Sequence, residues 1–253
     1  MFKKQMILLC LLFAFISANA QPLKKEDQKL VQRFIEVVRA GDKAKVASLV
    51  TYPFRRPYPL PEVQNRKEFV IRYKEIFDDS LIRIICSSNP GNDWSRVGWR
   101  GIMLRLGEVW LDDDGKLIAV NYEPAIGSRR RAALIALDKS KLHPSLRHYI
   151  QPVHLAETRN YRVRIDDLGD GNYRYASWKV KAPVGSKPDI VLTDGVWIPE
   201  GSGGNSRYEF TKGDYKYILS IIHIGSDENP PARLQVMKEG EEILSERVVR
   251  LWR

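Results

Sequence analysis

The chain of 253 residues has little of the material from which most catalytic and metal sites are built. It holds two cysteines. Cys10 sits in the apolar run that opens the chain, so beyond that run only Cys86 remains and a disulfide framework is excluded. Cys86 follows Ile84-Ile85 and reads as a buried, inert thiol; with no histidine near it in sequence, it is not assigned as a nucleophile. The four histidines are His143, His148, His154 and His223, so residues 1–142 contain no imidazole for acid–base or metal chemistry. No His or Cys pair has the spacing of a zinc site. Residues 166–171 are rich in Asp and Gly, but a calcium loop aligned on them has Leu168 third and Ser177 twelfth, where it needs acidic oxygen. They read as a hairpin turn. Residues 200–205 are glycine-rich without the Gly-Lys-Ser/Thr ending of a phosphate loop, which leaves a surface loop between Trp197 and Tyr208. No repeat or low-complexity tract is evident, and no stretch after residue 20 approaches the length of a membrane helix. No cofactor, metal or transmembrane segment is therefore expected.

What is present begins with an address. Lys3 and Lys4 precede an apolar run over residues 6–16, and Ala18-Asn19-Ala20 supplies small residues for cleavage. This is the pattern of a secretory signal peptide over residues 1–20, with a mature chain starting at Gln21. Losing Lys3 and Lys4, and no acid, takes the formal charge from +10 to +8. A basic balance often indicates nucleic acid, but export argues against that partner. The expectation is a periplasmic or secreted protein. Its basic surface, scattered apart from Arg129-Arg130-Arg131, would suit an acidic envelope component.

Leu30, Val31, Phe34, Ile35 and Val38 recur at helical spacing and stop at Gly41. Asp42 is placed to cap a short second helix. Pro53, Pro57, Pro59 and Pro61 make residues 51–64 an extended loop. Asn65 and Glu68 form a capping pair for a third helix running to Phe77. Residues 81–86 fit either a strand or a helical turn. Residues 97–106, 109–111 and 117–120 then read as strands of two antiparallel hairpins, turned at Gly107 and at Asp113-Asp114-Gly115.

This order resembles the NTF2-like (SnoaL-like, cystatin-like) α+β cone over about residues 24–123. The residues that carry the likeness are the helix through Leu30 and Val38, the Tyr52-Pro53-Phe54 step, the helix from Glu68 to Phe77 and the hairpins from Trp99 to Tyr122. The resemblance implies a sheet wrapped around helices with a pocket at the open end. It does not imply an activity, because the fold hosts enzymes and non-catalytic binders alike. Dehydratases of that family that use a His–Asp pair would need a pocket histidine, and the segment has none. An isomerase-like site would use a carboxylate base with tyrosine donors, for which Tyr73, Asp93 and Glu108 are the candidates.

Residues 128–142 read as a further helix, and residues 125–158 as a helical connector between an NTF2-like domain (21–124) and an all-β domain (159–253). From Asn160 the apolar period is two. Short alternating runs separated by Gly, Pro and Asp turns predict a β-sandwich or small barrel. This part loosely resembles the β-domains that follow NTF2-like modules in bacterial envelope proteins.

The fold class expected is therefore α+β. The candidate ligand-binding residues are Tyr73, Trp99, Arg100 and Trp110: aromatics on the cone's helix and sheet, with one cation for polar contact. The first reading is an exported, non-catalytic binding or interaction protein, with a small apolar ligand or an acidic envelope component as partner. A lyase, isomerase or hydrolase of NTF2-like type is the second. The third is an inhibitor of a cell-wall-degrading enzyme; a basic lysozyme would repel a +8 chain, an acidic enzyme would not.

Overall fold

The computed structural model describes residues 21–201, 203–223 and 229–253. The leader, Ser202 of the glycine-rich loop and Ile224 lie outside the described residues. The chain is α+β, with a helical layer on one antiparallel sheet followed by a second, larger antiparallel sheet.

Helix α1 (Lys25–Arg39) buries Val31, Phe34, Ile35 and Val38, the stripe its periodicity predicts. The Asp42 carboxylate accepts from the Ala44 and Lys45 amides and starts α2 (Lys43–Ser48). The proline-rich segment then runs extended and doubles back on itself through a Phe54–Val63 bridge. Asn65 accepts from the Glu68 amide, and Glu68 in turn accepts from the Gln64 amide, opening α3 (Arg66–Ile71). The helix expected to reach Phe77 stops at Ile71 and tightens into a 3-10 turn, Tyr73–Glu75. Residues 81–86 belong to α4 (Asp79–Ser87), capped by Asp78, which decides between the two expected forms.

The first sheet takes its strands in chain order: β1 (Gln21–Pro22), β2 (Trp94–Arg96), β3 (Ile102–Leu104), β4 (Val109–Leu111) and β5 (Leu117–Val120). The strand expected over residues 97–106 is broken by a 3-10 turn, Gly98–Arg100. Two glycines cause the break. Gly98 and Gly101 have φ of 52° and 100°, and a Cβ on Gly101 would stand 2.2 Å from the Leu111 carbonyl oxygen. The inner face of the sheet presents Ile102, Leu104, Val109, Leu111 and Leu117, all fully buried against Phe34, Phe69 and Phe77. Trp94 seals one end: its indole N–H donates to Ser88 Oγ at 2.9 Å and its ring meets Phe34 edge-on.

Helix α5 (Ala125–Lys141) and a 3-10 turn (Pro144–Leu146) lead to the second sheet. Its first eight strands form a meander: β6 (Gln151–Glu157), β7 (Tyr161–Gly169), β8 (Asn172–Lys179), β9 (Ile190–Glu200), β10 (Asn205–Lys212), β11 (Tyr215–Ile221), β12 (Ala232–Lys238) and β13 (Glu241–Arg247). The last, β14 (Arg250–Trp252), returns to pair with β6. Consecutive residues bond to opposite ends of this meander: the Val248 amide donates to Ala232 and the Val249 amide to Glu157. In a flat sheet β6 and β12 would stand about 29 Å apart at the usual inter-strand spacing. The sheet therefore curls into a half-barrel. Of the expected sandwich or barrel, it is a single curled sheet that is found. Residues 151–157, expected within a helical connector, are its strand β6.

The inner face of the half-barrel packs Val163, Ile165, Tyr175, Phe210 and Leu219. On the outer face of β7 and β8, Arg164, Asp166 and Arg174 are buried under α5 and the turn after it. Asp166 accepts from Arg164 Nε at 2.7 Å and from Arg174 Nη2 at 2.6 Å. Arg164 also reaches Asp138 of α5 at 2.6 Å, and the Tyr149 hydroxyl donates to the same carboxylate at 2.6 Å. Two arginines and two aspartates thus balance in charge, and breaking one partner would leave an uncompensated buried ion. Two residues of the arginine run at the start of α5 are engaged at the junction between the sheets: Arg130 pairs with Glu75, and Arg131 bonds to Tyr58 O and Gln151.

Candidate functional site

The four residues singled out from sequence do not meet in one cavity. Tyr73 is buried in the 3-10 turn, stacked on Phe77 with ring centroids 5.1 Å apart, and the Lys43 ammonium lies 5.7 Å from its ring centre. Burial pushes its hydroxyl up to about 12. It lines a cleft of about 290 Å³ with Phe77, Ile82, Ile126, Asp78 and Asp79. None of the other three candidates lines that cleft. Trp99 is 62% exposed in the Gly98–Arg100 turn, with Arg100 beside it and also exposed. Trp110 lies on the face of β4 opposite Val109 and Leu111, pairs across to Met103, and donates its indole N–H to Gly107 O at 3.0 Å. It faces away from the buried core of the first sheet.

The groups named for an isomerase-like site are bound up in local structure as well. Asp93 accepts from the Asn89 amide at 2.7 Å and Glu108 from the Leu106 amide at 3.1 Å, each closing a turn. Among the described residues two carboxylates are buried, Asp27 and Asp166. Asp27 accepts from Arg96 Nη2 at 2.6 Å and Nε at 2.9 Å, and these bonds hold it below its ordinary value. No group of three or more His, Cys, Asp or Glu among the described residues is placed to hold a metal ion.

A second constellation gathers at one end of the half-barrel. On β6 the buried positions alternate through Pro152, His154 and Ala156. Trp252 is paired with Leu155, so one further step of the antiparallel register sets Arg253 opposite His154. The His154 ring meets Tyr208 edge-on at 5.3 Å, and Tyr208 meets Tyr173 at 5.0 Å. Burial, reinforced by the Arg253 charge, lowers His154 to about 4, and its Nδ1 has no hydrogen-bond partner. Arg253 is also partly enclosed, with an unpartnered Nη1. Burial first, then the Arg55 charge, lowers it to about 10, against the pull of Glu62. Burial, Arg253 and Arg55 lower His223. Beside this end, the proline-rich segment and β14 enclose a cleft of about 360 Å³, lined by Tyr58, Leu60, Glu62, Gln64, Trp252 and Arg253.

Comparison with family models, with curated proteins and with solved structures finds no match to this chain.

Sequence reasoning misses His154 because residues 125–158 read as a helical connector, and it misses Arg253 because the strand that β14 pairs with lies hidden there. The signal was there: Val153, Leu155 and Glu157 alternate with Pro152, His154 and Ala156 at a period of two. Pro152 disguised it, since proline inside a run argues against a strand except at a bulge, and β6 does shift register between Pro152 and His154.

Proposed function

We propose that the chain is an exported, non-catalytic binding or interaction protein of the bacterial cell envelope, with a first half of NTF2-like type. One observation carries this reading. The interior between α1, α3 and the first sheet is filled by Phe34, Phe69, Phe77, Ile102 and Leu111, and both buried carboxylates are held by arginines. An isomerase-like mechanism needs an enclosed carboxylate free to take a proton, with donors aimed at the same point. Neither is assembled around Tyr73, Asp93 and Glu108. Lys3-Lys4, the apolar run and Ala18-Asn19-Ala20 support export. The cleft at Tyr73, apolar along Phe77, Ile82 and Ile126, supports a small ligand held at the rim of the cone.

Native mass spectrometry tests both parts of the proposal. The protein recovered from the envelope fraction should have the mass of a chain beginning at Gln21. After incubation with an envelope extract it should carry a 1:1 adduct, and that adduct should be released with unchanged mass. Release of an altered compound, in step with time, would make the protein an enzyme. Recovery of the intact leader on a membrane-bound form would remove the exported, mature state.

A further inference from the structure

We propose that the end of the half-barrel carrying His154 and Arg253, together with the cleft against the proline-rich segment, binds a small anion bearing a carboxylate or phosphate group. This goes beyond the Tyr73 cleft to a second site, and it rests on the same reading of the chain as a binding protein.

The first support is unmet hydrogen-bonding capacity. Arg253 lines the cleft and has a buried Nη1 without a partner. His154 sits one register step across from it, and its buried Nδ1 is also unpartnered. Buried polar groups in folded proteins are nearly always satisfied, so the Arg253 donor marks a place where an acceptor belongs, while His154, neutral at pH 7 with its ring N–H given to the Trp252 backbone, offers Nδ1 only as an acceptor for a ligand O–H. The second support is charge. After burial, the Arg55 charge lowers Arg253, and both arginines lower His223, which places the two cations of the proline-rich segment and of the chain after β14 within electrostatic reach of each other and of the end of β11. Burial adds to the same effect at His223 and Arg253. Glu62 is the single acid that opposes them at Arg253. Elsewhere in this protein, as at Asp27 and Asp166, an enclosed acid is met by hydrogen-bonded arginines. Here the arginine is enclosed and no carboxylate lies within ion-pair distance of it among the described residues.

Size and wall chemistry define the ligand further. About 360 Å³ falls at the small end of ligand pockets. Tyr58, Leu60, Leu251 and Trp252 give apolar walls, while Arg253 and Gln64 supply donors. A planar guanidinium fork is suited to bidentate recognition of carboxylate or phosphate. A compact anion with an apolar body fits; a long polyanion does not.

The test uses the full mature chain at pH 7 and low ionic strength. Inorganic phosphate and succinate are titrated separately, with sodium chloride at matched ionic strength as control. Amide and indole NMR resonances of Leu251, Trp252 and Arg253 are followed. Both arms should shift these resonances saturably, and the tighter arm identifies the anionic group. Arg253→Gln and, separately, Arg55→Gln should weaken binding about tenfold or more, as loss of a charged hydrogen bond or a close charge does. Arg55 is exposed, so its substitution should leave the thermal midpoint unchanged and keeps the test valid if Arg253→Gln disturbs the fold. Shifts no larger than those from sodium chloride would overturn the proposal, as would equal affinity in wild type and both variants. An envelope compound that binds while neither phosphate nor succinate gives saturable shifts would leave the binding function standing and sink this site alone.

Discussion

Tryptophan shows what a sequence can and cannot say about single residues. Trp94, Trp99 and Trp110 lie within one run of strand-like sequence, and composition does not rank them. In the structure Trp94 is 2% exposed and Trp99 is 62% exposed, because the glycines at 98 and 101 turn the backbone between them out of the strand. The caps were legible, since Asp42 and Asn65 act only on amides two or three residues away. His154 was not, because its character depends on Arg253 and Tyr208, both remote in sequence. Its environment makes a prediction. An unfolded histidine titrates near 6.5 and the folded one at about 4. Between these values the unfolded chain binds a proton that the native state refuses, so stability is complete above the window and falls as pH drops through it. The loss by pH 4 should approach about 3 kcal/mol from this group. His223, also lowered, adds a loss of the same sign. Urea midpoints measured at pH 7, 6 and 5 should decline in wild type and decline less in His154→Gln. Equal slopes in the two proteins would show that His154 is not the group responsible.

Among the elements, those with a strong local period were readable. Helix α1 and the alternating strands of the second half declare themselves through their own residues. The failures have nonlocal causes. The third helix stops early and continues as the Tyr73–Glu75 turn, whose Glu75 receives Arg72 from its own segment and Arg130 from α5. Strand β9 runs on through Gly195 and Pro199, residues that read as breakers. Its glycine has a steric cause. A Cβ on Gly195 would fall 1.9 Å from Phe210 Cε1, and Phe210 is 1% exposed, with little space to retreat. Gly195→Ala should therefore cost about 1–3 kcal/mol, the usual penalty for overfilling a packed core. Thermal melts can check the cause as well as the size. Phe210→Leu shortens the obstructing side chain, so adding Gly195→Ala to that background should cost clearly less than in wild type. Additive losses would mean that Phe210 is not what the new methyl strikes.

For the whole molecule, sequence marks a change of period near Asn160, and the buried residues fall into separate clusters whose boundary lies before it. One buried cluster runs from Leu23 to Leu117 and another from Ala156 to Val248, with no residue in common. What sequence could not place was the ownership of α5. A helix with one buried residue looks like a connector, and its apolar pattern is weak. Its attachments to the second half are mostly polar: Asp138 to Arg164, Arg131 to Gln151, and Lys139 to the carbonyl of Tyr149, whose ring lies under the Arg164 guanidinium, with Ile135 alone packed on the cluster around Trp178. The turn after it packs Leu142, Leu146 and Tyr149 on Ala176 and Trp178. The second unit should accordingly begin at residue 125 rather than 159. A chain of residues 125–253 keeps β6, and with it the strand that β14 and β7 both pair with. A chain of residues 159–253 loses β6. The row of backbone groups on β7 is then exposed, β14 has no partner, and Arg164 and Arg174 keep only Asp166. Expressed separately, residues 21–124 and residues 125–253 should each show a cooperative thermal transition and dispersed amide resonances. Residues 159–253 should be unfolded or aggregate through the open edge. A cooperative transition in the 159–253 fragment would mean that the half-barrel does not depend on β6 for closure, and the domain boundary would return to the change of period.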